Sequence, residues 1–482
     1  MKEERVEVME VKQYRFLIDG EWKEATEHYD LVAPYSKRVI AKIPLADEEI
    51  AEKAVKSAKA AAGSMRKLSL LERSNILERV SIIFTEKLEE CAEILAWENA
   101  KPIQAARGEI QRTIETYKFA ADEAKKIAGE IIPMDAAKNG YGRFGFTKKE
   151  PLGVIAAITP FNFPFNLVAH KLGPAFAMGN TVVLKPASQT PLSAIMTAKI
   201  FEEAGLPKGA LNLIFGSGKT VGDFLVTHED IKMVTFTGSV PVGKGIREKA
   251  GLKKVTLELG SNSAVVIDKT KDIRSAALKC AQGAFSYSGQ TCISVQRIYV
   301  QTDLYDSFLE AFAEEVENIK VGDPLEEDTV VSALIHDKEA ERVEHWIKEV
   351  RVENVYRGGE RTGSVIKPTI LTNIDSDASV LKEEAFAPVV VINKYERWEE
   401  AIQLVNDSQY GLQAGVFTDS LEKAYQAVDE LEVGGVIIND IPSYRVDHMP
   451  YGGVKNSGTG REGIKYSMDE MSELKLGVFN LL

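Results

Sequence analysis

Only three cysteines, Cys91, Cys280 and Cys292, occur in 482 residues, and so sparse and odd a set excludes a disulfide scaffold and fits a reducing compartment. No two are spaced as Cys-x-x-Cys. The histidines at 28, 170, 228, 336, 345 and 448 share no metal-ligand spacing, so no metal site is expected. No apolar run approaches the roughly 18 residues needed to span a bilayer. The charged start, Met1-Lys-Glu-Glu-Arg-Val-Glu-Val8, lacks the apolar core of a secretory leader. Positive charge is in deficit: 59 Lys and Arg face 72 Asp and Glu, and the net charge of -13 argues against nucleic acid or a membrane surface as partner. A local basic pocket for an anionic small molecule is compatible with that balance. Internal repeats and low-complexity tracts are missing too. The chain is expected to be cytoplasmic and globular, too long for one core and forming two or three domains.

Residues 14–45 read as short strands and turns, with a hairpin around Asp19-Gly20. Helical spacing follows over Asp47–Met65, Leu68–Asn99 and Pro102–Gly129; Cys91 falls on one of these faces and reads as inert packing. From Arg143 the pattern changes. Strands at 153–159, 181–185, 211–214, 233–236 and 255–259 alternate with helices at 165–178, 191–204, 219–227 and 242–250. Such alternation describes a doubly wound parallel sheet, whose ligands bind beyond the carboxyl ends of the strands. A second α/β pattern begins near Ser261 and includes strands at 265–267, 298–300, 389–392 and 435–439, with helices at 273–286, 304–319 and 424–431. It closes with a glycine-rich loop at 452–463. The last residues, Leu474–Leu482, form an apolar β-prone tail that would be exposed on a monomer and is expected to pair with a partner subunit or another sheet.

Chemistry is expected at those strand ends. Cys292 follows a Gly-Gln-Thr turn and precedes a β-prone run, so it is either a small buried hydrophobe or a thiol presented to a cleft. Gly238 and Gly243, with Thr237 and Ser239, form a strand–turn–helix start that suits a pyrophosphate, or serve as an ordinary βα turn. Lys185 can meet ribose hydroxyls or a phosphate, or stand solvated. Glu258, closing an apolar strand, is a general base or half of a structural ion pair. Asn162, between two phenylalanines, donates to an oxyanion or braces a turn.

Six segments occur in order: Phe161-Asn-Phe-Pro164, Lys185-Pro-Ala-Ser188, Phe236-Thr-Gly-Ser239, Leu257-Glu-Leu-Gly260, Gly289-Gln-Thr-Cys292 and Glu383-Glu-Ala-Phe-Ala-Pro388. Together they resemble the aldehyde dehydrogenase superfamily, from about residue 14 to the carboxyl terminus. Asn166–Ala175 and Tyr444–Lys455 most resemble its lactaldehyde dehydrogenase branch, with non-phosphorylating glyceraldehyde-3-phosphate and succinate-semialdehyde enzymes as near relatives. The resemblance implies that Cys292 attacks an aldehyde, that the Asn162 side chain and the Cys292 N–H hold the oxyanion, and that Glu258 activates water against a thioester. It implies cofactor contacts from Thr159, Pro160, Phe161, Lys185, Ser188, Gly218, Thr237, Gly238, Ser239, Gly243, Leu259, Gly260, Glu384 and Phe386. Ser188 stands where glutamate is frequent in NAD-preferring members, so NADP is the expected cofactor, with NAD accepted as the alternative. Two departures are Ala387 for a usual glycine, and Ser261-Asn262 where Gly-Lys is usual.

The expected substrate is a short hydroxy- or anionic aldehyde, with Arg445, assisted by His170 and Arg112, on its anionic group; Arg445 paired with Asp440 or Asp447 is the competing reading. A coenzyme-A-acylating relative is disfavoured by Glu258, and a non-catalytic binding protein by the complete Asn162, Glu258 and Cys292 set. The expected fold is α/β: two doubly wound, Rossmann-like parallel-sheet domains plus a small β oligomerisation segment. The expected division is 1–125 with 147–260 for the dinucleotide, 261–464 for catalysis, and 126–146 with 465–482 for assembly into a dimer or a dimer of dimers (a homotetramer).

Overall fold

The computed structural model describes residues 11–482; the charged amino-terminal octet lies outside them. Five parallel strands, Val154–Ile158, Thr181–Lys185, Leu211–Leu213, Ile231–Thr237 and Lys254–Glu258, form the centre of one sheet. Their apolar residues run without alternation because helices cover both faces. Taken in chain order as one to five, the strands lie side by side as five, four, one, two, three. The direction of winding therefore reverses at Val154–Ile158, and a crevice opens beyond its carboxyl end. Neither flank is bare. The hairpin Phe16–Ile18 and Glu21–Lys23 turns through left-handed Asp19 and Gly20 and adds to one side; Gly458–Thr459 adds to the other.

The helical reading of Leu68–Asn99 resolves into two helices, Leu70–Glu86 and Leu88–Asn99, broken at Lys87; a Ser69–Glu72 capping box starts the first. Residues 219–227 are not one helix but a wide turn at Gly218–Gly222 followed by the short helix Asp223–Thr227.

The second sheet runs Val355–Arg357, Thr369–Thr372, Val389–Tyr395, Arg297–Gln301, Ala264–Ile267, Gln413–Phe417, Gly435–Ile438, all parallel except the first. Sequence patterning misses Thr369–Thr372 and Gln413–Phe417, and with them the helices Asp337–Glu349 and Trp398–Asn406. The strand at 413–417 carries Gly415 where a β-branched residue would have advertised it. Glycine is required there, because a Cβ would come within 2.6 Å of the Asp440 carbonyl.

The carboxyl-terminal strand Ser472–Asn480 pairs with Arg143–Pro151 of its own chain, antiparallel over nine residues, and Ile131–Ile132 completes a third sheet. The tail thus finds another sheet, as one of the two expectations had it. Leu474, Leu476, Val478 and Phe479 nevertheless stay exposed along it. Among the described residues no helix is long and apolar enough to cross a membrane.

Candidate active site

Cys292 is presented by an unusual piece of backbone. The helix Ile273–Phe285 ends, and Tyr287, Ser288 and Gly289 follow with φ of 50°, 56° and 69°. Two non-glycine residues in this region cost roughly 1–2 kcal/mol each, so the turn must be held from outside. Ser288 Oγ donates to the Ser332 carbonyl (3.0 Å) and accepts the Ser332 N–H (2.9 Å), and Gln290 Oε1 accepts the Ile335 N–H (3.0 Å). Gly289 cannot be replaced, since a Cβ would lie 2.2 Å from the Ala387 carbonyl. Beyond the turn, Ser443 Oγ donates to the Ile293 carbonyl (2.8 Å), tying the 441–445 loop to the residue after the cysteine.

The thiol borders a cavity of about 460 Å³ whose lining includes Arg112, Phe163, Ile293, Ser443, Arg445 and Tyr451. Burial pushes the Cys292 thiol up to about 11, against the hydrogen bond from Tyr451 and the Arg445 charge. Cys91 and Cys280 are fully buried on helices, and burial raises both thiols as well.

Asn162 meets the cysteine loop directly. Its Nδ2 donates to the Gln290 carbonyl (3.2 Å), which uses one of its two protons. Among the described residues the Cys292 N–H donates to no protein acceptor, unlike those of Gln290, Thr291 and Ser294. One Asn162 Nδ2 proton and the Cys292 N–H are therefore left without a protein acceptor among the described residues. The Asn162 loop is itself clamped by a fully buried ion pair, Lys101–Glu109. Lys101 Nζ donates to the Asn162 carbonyl (2.6 Å) and sits over the rings of Phe163 (3.9 Å) and Tyr287 (4.3 Å). Glu109 Oε1 accepts the N–H groups of Phe165 (2.9 Å) and Asn166 (3.2 Å), at the start of the helix Asn166–Met178. Lys101→Met leaves a buried, uncompensated carboxylate and is expected to cost about 3–5 kcal/mol. Chemical denaturation measures it, and Lys101→Met with Glu109→Gln should recover most of the loss.

Glu258 ends its strand 5% exposed, and among the described residues neither carboxylate oxygen has a hydrogen-bond partner. Burial raises it well above the usual carboxylate range and the Glu462 charge adds to this, against Arg445, Lys171 and Arg461. Its Oε1 lies 3.0 Å from where a Cβ on Gly452 would stand, beside Tyr451, whose hydroxyl is 2.9 Å from Cys292 Sγ. Glutamate and thiol thus face the same short segment.

The other expected residues gather at the carboxyl edge of the first sheet. Thr159, Lys185, Thr237 and Gly260 lie at or just beyond adjacent strand ends, and the Thr159 N–H donates to the Lys185 carbonyl (3.2 Å). Burial brings Lys185 down to about 8, and among the described residues its ammonium meets only the Pro186 carbonyl (3.4 Å). Thr159 Oγ1 is buried without a partner among the described residues. Ser239 stands at the start of the helix Val240–Lys249 without capping it, and Gly243 packs under Leu259. Glu384 accepts the Ser261 N–H (2.9 Å) against Gly260, and burial raises its carboxyl to about 7. The Phe161 and Phe386 rings meet edge to face, centroids 5.8 Å apart. Ser188 is exposed, its carbonyl accepting the Tyr29 hydroxyl (2.9 Å), and Gly218 opens the wide turn with free space around it. A buried lysine without a carboxylate, an orphaned hydroxyl and an uncapped helix start suit a dinucleotide.

Arg445 pairs with neither Asp440 nor Asp447. Its guanidinium donates to Glu462 Oε2 (3.1 Å), approaches His170 Nε2 (3.1 Å) and lies over the Tyr451 ring at 3.7 Å, while among the described residues its Nε is buried without a partner. Asp447 instead takes Arg112 (2.7 Å), Asn166 (3.0 Å) and His170 (2.8 Å), and Asp440 takes Lys279 (3.0 Å). Burial opposes ionisation of Asp447, but the His170 hydrogen bond and the Arg112 charge outweigh it and hold the carboxyl low. Glu462, bonded also to Lys171 (3.2 Å), is held at about 2: burial raises it, and Lys171, His170 and Arg445 overcome that. Arg112 and Arg445 therefore reach the cavity, and His170 stands behind them, fully buried and, through burial and the Arg445 charge, below its usual range. Sequence reasoning passed over Lys101, Glu109, Lys171, Tyr451 and Glu462. Two signals were available: Lys171 is a charge inside an otherwise apolar helix, and Tyr451 directly precedes a double glycine.

A thiol bordering a cavity, near a glutamate and an amide and next to a sheet edge shaped for a dinucleotide, fits a class of NAD(P)-linked oxidoreductase. The family comparison agrees with it: residues 22–476 match the aldehyde dehydrogenase family, and the chain belongs to that family, whose members oxidise aldehydes with NAD(P). It is 48% identical over 474 residues to a 3-sulfolactaldehyde dehydrogenase of Priestia aryabhattai, covering 98% of this chain and 99% of that one. Among solved structures it is similar to aldehyde dehydrogenase 21 of Physcomitrella patens in complex with the reaction product succinate (TM-score 0.95, 40% identity, 98% and 99% covered). It is also similar to the NADP complex of the glyceraldehyde-3-phosphate dehydrogenase GapN of Methanocaldococcus jannaschii (TM-score 0.91, 42% identity, 94% and 100% covered).

Proposed function

We propose that this enzyme oxidises a short aldehyde bearing a 2-hydroxyl and a terminal anion to its carboxylic acid, lactaldehyde-like in size, with NADP as the preferred cofactor and in a cytoplasmic setting. The observation that carries the reading is the cavity, where two arginines, Arg112 and Arg445, share the wall with Cys292. Three relatives support an anion at that place: their names give a sulfonate, a carboxylate and a phosphate. Ser188 and the unpaired Lys185 support NADP, because neither a carboxylate at 188 nor a counter-ion on Lys185 opposes a 2′-phosphate.

In this reading residues 1–125 with 147–260 hold the dinucleotide, through Thr159, Pro160, Phe161, Lys185, Ser188, Gly218, Thr237, Gly238, Ser239, Gly243, Leu259, Gly260, Glu384 and Phe386. A bound nicotinamide dinucleotide supplies the hydride acceptor. Cys292, as thiolate, adds to the aldehyde carbon. The free Asn162 Nδ2 proton and the Cys292 N–H receive the oxyanion of the thiohemiacetal. Loss of hydride leaves a thioester on Cys292, and Glu258 takes a proton from the water that cleaves it. The segments 126–146 and 465–482 serve assembly, supported by the apolar residues exposed along Ser472–Asn480.

A panel of sulfolactaldehyde, glyceraldehyde-3-phosphate, succinate semialdehyde, lactaldehyde and propanal, each with NADP and NAD, tests the proposal. The anionic hydroxy aldehydes are expected to exceed propanal by about ten- to hundredfold in kcat/KM, the range of one or two charge-assisted hydrogen bonds. Equal use of propanal would sink the anion reading, and a large preference for NAD the cofactor reading.

A further inference from the structure

The hydroxyl of Tyr451 has one protein partner among the described residues, and that partner is Cys292 Sγ at 2.9 Å. The ring is 2% exposed and packs with Ile293, Leu412 and Met449, so it cannot swing away without opening a small core. On one ring face lies the Arg445 guanidinium, 3.7 Å from the centroid, itself fixed by Glu462. The titratable and charged groups facing the sulfur are then Tyr451, Arg445, Glu258 and Glu384, with Arg112 across the cavity. Both carboxylates oppose a thiolate. Among all of them only Tyr451 touches it.

We propose that Tyr451 is a further catalytic residue, donating its hydroxyl proton in a hydrogen bond to the Cys292 thiolate and thereby stabilising it both as attacking group and as leaving group. The inference rests on the reading of Cys292 as the nucleophile. A neutral thiol can donate to the phenol oxygen or accept from it; a thiolate can only accept. Ionisation therefore turns the contact into a charge-assisted bond, which favours the ionised form. Burial keeps the phenol itself far above its usual range, so Tyr451 retains its proton while the cysteine loses one. The cation over the ring withdraws density from it and makes the O–H a better donor. No proton is transferred through Tyr451. When sulfur adds to the aldehyde its lone pair becomes the C–S bond and the hydrogen bond weakens. When water cleaves the thioester the C–S pair returns to sulfur, and the same hydroxyl receives it.

Tyr451→Phe removes one oxygen and keeps the ring beneath Arg445. Alkylation of Cys292 by iodoacetamide, followed on its peptide by mass spectrometry across pH, is expected to slow about ten- to hundredfold at pH 7, with the midpoint moved up by about one to two units. The rate should return at high pH, which a merely distorted site would not restore. A profile superimposable on the wild type overturns the proposal. Should Tyr451→Phe fail to fold, 3-fluorotyrosine at 451 supplies a stronger donor of nearly the same shape. Its midpoint should fall, and an unmoved or raised midpoint overturns the proposal equally. Alkylation does not depend on turnover. Failure of the nucleophile reading would instead show as persistent turnover in Cys292→Ala.

Discussion

Cys292→Ala is expected to abolish aldehyde oxidation, by a factor on the order of 10⁴–10⁶ in kcat, while NADP still binds with unchanged affinity by calorimetry. The reason is the inventory of the cavity. Ser286, Thr291 and Ser443 line it along with Cys292, but a hydroxyl at neutral pH is a far weaker nucleophile than a thiol, and the Ser443 hydroxyl is committed to the Ile293 carbonyl. Cys91 and Cys280 cannot stand in, each being fully buried on a helix in one of the hydrophobic cores. Iodoacetamide should accordingly label the native enzyme at Cys292 alone. Most of the proposed cofactor contacts lie at the strand ends of the first sheet, in other elements, and should survive the loss of one sulfur. Turnover at a tenth of the wild-type rate or more would remove Cys292 from the mechanism.

The expectations that held and those that failed divide along a physical line. The five-stranded sheet was readable because strands buried on both faces must be continuously apolar, and Val154–Ile158 or Thr181–Leu184 can be little else. Its carboxyl edge then located Glu258 and Lys185 without further information. Gln413–Phe417 was unreadable for the opposite reason: its Gly415 answers to a loop 25 residues onward, and its strand character comes from two neighbours in the sheet. The proposed catalytic set was legible as residue types in ordered segments. The groups that hold it were not. Tyr451 meets Cys292 across 159 positions and Asp447 meets His170 across 277, so pattern within a window carries no trace of either contact. Arg445 shows the limit most plainly. Two nearby aspartates offered themselves as its counter-ion, and the fold gives those to Lys279 and to Arg112, leaving the guanidinium to Glu462.

Glu258→Gln is expected to split the reaction in two. The first half requires the thiolate, the two oxyanion donors and a hydride acceptor, none of which the substitution removes. One equivalent of NADPH per active site should therefore appear as a burst. Turnover should then stall at about a hundredth or less of the wild-type rate, since a general base is worth roughly 10²–10⁴-fold. The acyl group should be found on the Cys292 peptide by mass spectrometry after acid quenching. The pH dependence has a fixed sign. Burial and the Glu462 charge raise the Glu258 carboxyl, so it holds its proton at pH values where an ordinary glutamate has lost it, and only the ionised form can take a proton from water. Wild-type deacylation must rise with pH through that elevated value, and the glutamine variant should lose the dependence. Coenzyme A should not relieve the stall if hydrolysis is the native route; release of acyl-coenzyme A at the wild-type rate would favour acyl transfer instead. If the burst itself disappears while alkylation of Cys292 also slows, Glu258 is the base that ionises the thiol, and the deacylation assignment falls.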